Sequence, residues 1–202
     1  MCFVMRSLYY IRVLLHLGVF LVCTKECKRA IMSDVAAFIR YDTNSCYKLP
    51  NLKALLYYLQ FRQEFRNVFY YRTARKTKSL HCGTILKYLL SPLDSLMFGT
   101  ERIGGGVFIQ HGFSTVIHAK SIGRNVYINQ QVTIGAGKTP DAIPIIGDNV
   151  KIHAGAIIIG DIRIGDNVTI GAGAVVYKDV PSNSVVVPAR SRIIFHGKET
   201  IM

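Results

Sequence analysis

The sequence has no tryptophan and only 12 acidic residues against 25 lysines and arginines, so its 202 residues carry a formal charge of +13. The five cysteines are odd in number and none follows Cys82, which argues against a disulfide framework and indicates a reducing compartment. The apolar stretch at 11–23 is too short to span a bilayer, and it has no small-x-small cleavage site. A disulfide-rich secreted protein and an ordinary membrane-spanning protein are therefore not expected.

The basic residues are concentrated in the first half of the chain. Residues 1–95 carry a net charge of +10 and residues 96–202 carry +3. Such an imbalance favours an anionic contact, either a membrane face or a phosphate-bearing substrate. No zinc-finger or RNP motif is present, so we do not expect a nucleic-acid partner. We expect a cytoplasmic protein, with peripheral contact at the inner membrane face as an added possibility.

The first segment, residues 1–31, allows two interpretations. Translation of the native protein starts at Met32, which opens MSDVAAFIRYD, or the apolar stretch forms a helix lying in a membrane interface. Residues 32–95 are predicted to form a basic helical region. Its apolar stripe has spacings of three and four residues, typical of a helix, and comprises Ala54, Tyr58, Phe61, Phe65 and Val68.

The basic residues around that stripe predict either a solvated face or a surface for docking to a membrane or a partner. They are Arg62, Arg66, Arg72, Arg75, Lys76 and Lys78. A second helix is predicted in TILKYLL, and the Ser91-Pro92 pair that follows is expected to end it.

From residue 96 the helical spacing gives way to a period of six. Isoleucine or valine stands at 122, 128, 134, 146, 152, 158, 164, 170 and 176, and only Pro140 interrupts the series. A fixed six-residue period predicts a β-helix in which each aliphatic side chain points inward and three short strands make a coil of about 18 residues. We assign residues 96–195 to this solenoid and residues 196–202 to a tail. The fold class is therefore mainly β, with a small helical region before the solenoid.

The motifs GGGVFIQHGFSTVIHAKSIGRNVYINQQVTIGAGK, IIGDNVKIHAGAIIIGDIRIGDNVTIGAGAVVYKDVP and VVPARSRII, in this order, resemble the serine acetyltransferases. That family belongs to the hexapeptide-repeat acyltransferases. The resemblance implies a left-handed parallel β-helix, a homotrimer or a multiple of it, and acetyl-CoA as co-substrate. It also implies active sites in clefts between neighbouring solenoids, and no metal.

The resemblance assigns roles to individual positions. His111 matches the catalytic histidine, with the implied role of general base. The backbone N–H groups near Gly135 and Ala136 would stabilise the oxyanion. The small residues that would line the path of CoA are Ala154, Gly155, Ala172 and Gly173, and Arg190 would lie near the CoA phosphates.

Several positions depart from the family pattern. Gln110 and Leu96 stand where the family has aspartates, and Ala142 and Ile143 replace an Arg-His pair. A site without these charges loses contacts to an amino acid, so we predict a sugar of a surface polysaccharide as the acceptor, with L-serine as the alternative. Asp94, Gln110 or a backbone carbonyl would then orient His111, and His118 would line the acceptor side or the surface.

Two remote alternatives belong to other classes. His118 and His153 are 35 residues apart, close to two coils, and could share a face that binds a metal ion. The solenoid could also be a scaffold without activity, in which His111 is an ordinary exposed histidine.

Overall fold

The computed structural model describes residues 14–43, 45–74, 87–189, 192–195 and 198–201. Its first part is a cluster of helices around an aromatic core. The helices are α1 (14–22), α2 (Lys25–Tyr41), α3 (Leu52–Phe61) and α4 (Gln63–Ala74), and residues 87–89 add a helical turn. Thr24 caps the start of α2 by accepting from the N–H of Cys27, and Asn51 caps α3 in the same way. No helix in these ranges has the length and hydropathy to cross a membrane.

Helix α2 runs through residue 32 without a break. Side chains on both sides of that position are buried in one core, including Phe20, Cys27, Ile31 and Val35. In the folded chain, the predicted boundary at 31/32 therefore lies inside a helix.

The predicted stripe is carried by two helices, because the backbone leaves the helical conformation at Arg62 (φ −120°, ψ 108°). Ala54, Tyr58, Phe65 and Val68 are buried as the spacing predicts, whereas Phe61 is 57% exposed. The interruption turns the last residue of α3 away from the core.

The basic residues near the stripe do not form a solvated face in the described ranges. Arg66 donates to the backbone carbonyls of Leu59, Gln60 and Ser91, and so satisfies carbonyls at the end of α3. Arg62 and Arg72 each form an ion pair with an aspartate. The other three basic positions of the cluster lie outside the described residues.

The second part is a parallel β-helix with three faces. Face 1 contains β1 (Leu96–Phe98), β3 (Thr115–Ile117), β6 (Thr133–Gly135), β9 (Ile157–Ile159) and β12 (Val175–Val176). Face 2 contains β4 (Ser121–Ile122), β7 (Ile145–Ile146) and β10 (Arg163–Ile164). Face 3 contains β2 (Phe108–Ile109), β5 (Tyr127–Ile128), β8 (Lys151–Ile152), β11 (Thr169–Ile170) and β13 (Val185–Val186). An antiparallel pair follows, β14 (Arg192–Phe195) with β15 (Lys198–Ile201).

The hexad prediction is confirmed, since all nine positions of the aliphatic series are buried in one continuous core. The coils are less uniform than predicted. Ile152 pairs with Ile170, 18 residues later, but Ile128 pairs with Ile152, 24 residues later. The additional six residues belong to the loop around Pro140, which leaves the solenoid and keeps the phase.

A ladder of asparagines runs along the corner between faces 2 and 3. Asn125, Asn149, Asn167 and Asn183 all have positive φ, between 56° and 61°. Each side-chain amide donates to the carbonyl of the next, at 3.1, 3.0 and 2.9 Å. Asparagine tolerates this left-handed conformation better than most residues, which explains its recurrence in the repeats.

A buried ion pair joins the helices to the solenoid. Asp34 of α2 accepts from Nε and Nη2 of Arg72 on α4, at 2.9 and 3.1 Å. Asp34 also accepts from the backbone N–H groups of Gly106 and Val107, at 2.8 and 2.9 Å. Burial raises the pKa of Asp34, and Arg72 with the two N–H groups opposes that rise. These contacts fix α2 and α4 against the strand that leads to His111.

Candidate active site

His111 lies at the corner between faces 3 and 1, directly after β2. It has a φ of +63°, and Gly112 follows with +52°. Two backbone hydrogen bonds close the corner. The N–H of Gly112 donates to the carbonyl of Gln110 (2.8 Å), and the N–H of Phe113 donates to the backbone carbonyl of His111 (2.7 Å). A left-handed conformation costs a non-glycine residue about 1–2 kcal/mol. Such strain at an exposed histidine is typical of functional positions.

Three further corners stack on the corner that carries His111, and the two beyond Gln130 and Gln131 consist of small residues. The backbone N–H of Gln131 donates to the carbonyl of Phe113. In the same way, Gly155 donates to the carbonyl of Gln130, and Gly173 to the carbonyl of Ala154. Gly155 and Gly173 have φ values of +69° and +70°. His111 and the four positions predicted to line the path of CoA therefore lie along one edge of the solenoid.

A cavity of about 140 Å³ adjoins His111. The end of α2, the Arg62 interruption, the first turn of α4 and strand β2 enclose it. Its lining residues are Tyr41, Asp42, Thr43, Arg62, Glu64, Phe108, Ile109, Gln110 and His111. The sequence analysis did not assign the three charged members, Asp42, Arg62 and Glu64, to a site. The stripe keeps its regular spacing through Arg62, so nothing in the sequence signalled that these three residues meet.

Asp42 and Arg62 form a two-point ion pair at the cavity. Arg62 donates from Nε to Oδ2 at 3.1 Å and from Nη2 to Oδ1 at 2.6 Å. The Asp42 side chain is 5% exposed and that of Arg62 is 35% exposed. The hydrogen bond to Asp42 raises the pKa of Arg62. Nη1 of Arg62 takes no part in the pair and is available to a bound anion.

Gln110, the residue before His111, is held by a tyrosine from the next coil. The phenol of Tyr127 donates to Oε1 of Gln110. Burial raises the pKa of Tyr127, so the phenol remains a donor. The amide oxygen that was predicted as one of the possible partners of His111 is therefore occupied.

The remaining predicted residues lie away from this cavity. Asp94 is exposed on the turn before β1. His118 follows β3 at the corner between faces 1 and 2, packed so closely on Gly99 that a Cβ there would lie 2.6 Å from its Nδ1. Gly135 ends β6 and stacks on His118, with Ala136 next to it, at the far end of the strand from His111. Arg190 lies outside the described residues.

The predicted pairing of His118 with His153 as metal ligands is wrong. His153 follows β8 at the corner between faces 3 and 1, so the two histidines lie on different edges of the solenoid. The prediction assumed coils of 18 residues, whereas the intervening coil with its loop has 24. Among the residues that the structure places, no group of three potential ligands is close enough to hold a metal ion.

Comparison with known proteins supports the fold and the resemblance. Residues 143–178 match the family model described as bacterial transferase hexapeptide (six repeats). A serine acetyltransferase of Synechococcus elongatus is 43% identical over 119 residues, which cover 55% of this chain and 49% of that protein. One of Staphylococcus aureus is 48% identical over 96 residues, 46% of this chain and 45% of that protein. The chain thus spans about half the length of the curated relatives it matches.

A solved structure extends the likeness into the helical region. The serine acetyltransferase of Neisseria gonorrhoeae, crystallised in complex with serine, superposes with a TM-score of 0.61 at 27% identity, over 81% of this chain and 67% of that one. These observations define a left-handed parallel β-helix of hexapeptide repeats preceded by a helical region. Within that class the chain is similar to the serine acetyltransferases, so the predicted resemblance is confirmed.

Proposed function

We propose that the protein is an acetyl-CoA-dependent O-acetyltransferase and that its acceptor is L-serine. One observation carries the proposal: His111 occupies a strained, exposed corner between a charged cavity and the stacked small-residue corners. The names of the relatives agree with this activity. The predicted sugar acceptor has no support among them.

His111 supplies the acid-base chemistry in this proposal. Its imidazole removes the proton from the acceptor hydroxyl while that oxygen attacks the thioester carbonyl of acetyl-CoA. The tetrahedral intermediate then collapses, the carbon–sulfur bond breaks, and the imidazolium returns the proton to the departing thiolate. The products are the O-acetyl ester and CoA. Histidine suits both transfers because it gains and loses a proton near neutral pH.

The cavity favours an amino-acid acceptor. Uncharged residues replace the charged residues of the family pattern at Gln110, Leu96, Ala142 and Ile143. That replacement predicted the loss of most charge-assisted contacts to serine. Arg62 keeps Nη1 outside its pair with Asp42 and offers it to a carboxylate. Charge-assisted contacts of this kind are the strong ones in recognition.

The corners predicted to bind CoA leave room for it. A Cβ built on Gly173 meets no heavy atom within 4 Å, and one on Gly155 meets only the backbone N of Gly173 at 3.9 Å. The pantetheine arm can therefore approach the backbone at both positions. Contact between Arg190 and the CoA phosphates remains part of the proposal.

The proposed assembly is a homotrimer or a multiple of it. The outer side of face 1 carries a row in register that is apolar except at its centre. Met97 lies opposite Val116 and Ile157 opposite Val175, and Thr133 lies between Val116 and Ile157. Met97 and Val175 are 60% and 55% exposed, and a second solenoid would cover them. Gly135 and Ala136 lie at the opposite edge of face 1 from His111, so a neighbouring copy would bring its own pair to that histidine. The cytoplasmic location and the membrane contact remain predictions.

The test is an acceptor screen with acetyl-CoA, in which CoA release is followed with L-serine, sugars and nucleotide sugars. We expect release with L-serine, abolition by His111→Ala, and turnover within about threefold of wild type for the control Asp148→Ala, whose exposed ion pair with Arg124 lies at the corner between faces 2 and 3. Release with a sugar alone would overturn the proposed acceptor. Full turnover by His111→Ala would overturn the proposed base, and no release with any acceptor would favour a scaffold.

A further inference from the structure

His111 needs a partner for its second ring nitrogen, because a general base works best when its tautomer and orientation are fixed. Among the described residues, none makes a hydrogen bond to its imidazole. Gln110 Oε1 is occupied by Tyr127, Asp94 lies outside the cavity, and Leu96 is apolar. Nothing that the sequence suggested therefore orients the base.

Glu64, in the first turn of α4, is a carboxylate on the wall of the same cavity. A Cβ built on Gly112, the residue after the base, would lie 3.2 Å from Cγ of Glu64 and 3.2 Å from Cδ2 of Leu96. Glu64 and Leu96 thus meet at one point beside His111. Leu96 stands where the related enzymes place an aspartate, so Glu64 brings a carboxylate to the place where the solenoid has lost one.

The other charges around the cavity are already committed to each other. Asp42 and Arg62 form their two-point pair, so Asp42 is not free to turn towards His111. Glu64 takes part in no hydrogen bond or ion pair with any residue that the structure describes, and it acts on Arg62 only through its charge. Of the two carboxylates, Glu64 is the one that can rotate.

We propose that Glu64 is the positioning residue for His111, and this rests on the proposed acetyltransferase function. Its carboxylate accepts a hydrogen bond from the ring nitrogen of His111 that does not face the acceptor. Two bonds separate Cγ from the carboxylate oxygens, so a change of rotamer carries them towards the imidazole. The helical region therefore supplies a function that the solenoid supplies in the related enzymes.

The contact has two consequences for the reaction. It selects the tautomer whose free nitrogen faces the acceptor hydroxyl, and it stabilises the imidazolium that forms as the proton is transferred. Both act on the chemical step more than on substrate binding.

The experiment compares Glu64→Gln, Glu64→Asp and the control Gln63→Ala, a neighbour on α4 that does not line the cavity. Glu64→Gln should lower kcat by about 10- to 100-fold, the scale of loss known for carboxylates that orient metal-bound histidines. KM for both substrates should stay within about threefold, since the ground-state contacts are unchanged. Glu64→Asp should recover part of the loss, and Gln63→Ala should match wild type.

The pH dependence separates positioning from mere packing. Without the carboxylate the imidazolium is less stabilised, so the acidic limb of the kcat/KM profile should move to lower pH in Glu64→Gln. An unchanged acidic limb, with kcat within twofold of wild type, would overturn the proposal.

A second readout does not depend on turnover. Labelled histidine resonances are followed by NMR across the pH range, and His111→Ala identifies the signal of His111. Its titration midpoint should be lower in Glu64→Gln than in wild type, and equal midpoints would overturn the proposal. If wild type acetylates no acceptor, the proposed function fails, and the titration still decides whether Glu64 faces His111.

Discussion

Replacing Asp34 with alanine should be among the most destabilising single changes in the chain. The substitution removes four hydrogen bonds and leaves the guanidinium of Arg72, itself 7% exposed, without its partner. Breaking a buried pair in this way costs about 3–5 kcal/mol. The two orphaned N–H groups of Gly106 and Val107 each add roughly 1–3 kcal/mol where water does not reach them. We expect a loss of at least about 3 kcal/mol, a large part of the 5–15 kcal/mol typical of a folded domain.

The assay is urea unfolding followed by far-UV circular dichroism at one protein concentration, since assembly would make stability depend on concentration. The matched control is Asp148→Ala, which breaks the exposed pair of Asp148 with Arg124 and should cost about 0–1 kcal/mol. The double variant Asp34→Leu with Arg72→Met should recover only the part of the loss that comes from the unpaired guanidinium, because the N–H groups of Gly106 and Val107 still lack an acceptor. A cost for Asp34→Ala no larger than that for Asp148→Ala would refute the reasoning.

Three further predictions concern the cysteines and two glycines. Cys46 is exposed while Cys23 and Cys27 are buried, and the hydrogen bond to Cys27 together with burial raises the pKa of the Cys23 thiol. Iodoacetamide should therefore label Cys46 before Cys23 and Cys27, as peptide mass spectrometry would show, and equal labelling of these three described cysteines would contradict this. Gly112→Ala should lower the free energy of unfolding by about 1–2 kcal/mol, because its φ is +52° and its Cβ would lie 2.9 Å from Ile109. Gly135→Ala has open space, so it should leave the Tm unchanged while lowering kcat; unaltered kinetics would place Gly135 outside the site.

The solenoid was largely predictable from its sequence because every inward-facing position is occupied by an aliphatic residue at a fixed spacing. Ile152, Ile158 and Ile164 are six residues apart and stand on three successive faces. The six-residue period therefore corresponds directly to one face of the β-helix. The length of the coil that ends near Ile159 was not predictable, because the loop adds one whole hexad and leaves the phase intact. That single uncertainty produced the incorrect pairing of His118 with His153.

The candidate site was predictable only where one motif carried it. His111 stands inside a recognisable segment, but Asp42, Arg62 and Glu64 reach the cavity from the end of one helix, an interruption and the start of another. No period links these positions, and the sequence assigns Arg62 to a basic cluster on the helical region. The sugar acceptor was predicted because Gln110 and Leu96 replace charged residues of the family pattern. The sequence does not show that charged side chains from the helices reach the same cavity.

The asparagine ladder has a consequence for how such a protein can change its length. Every rung binds only the rung before it and the rung after it, at Asn125, Asn149, Asn167 and Asn183. A whole coil inserted beyond Asn167 would meet the same partners that it displaced, whereas residues added within a coil have to leave the solenoid as a loop, as the six around Pro140 do. The solenoid can therefore be lengthened in steps of one complete coil. The corner that holds His111 can stay the same in proteins with different numbers of coils.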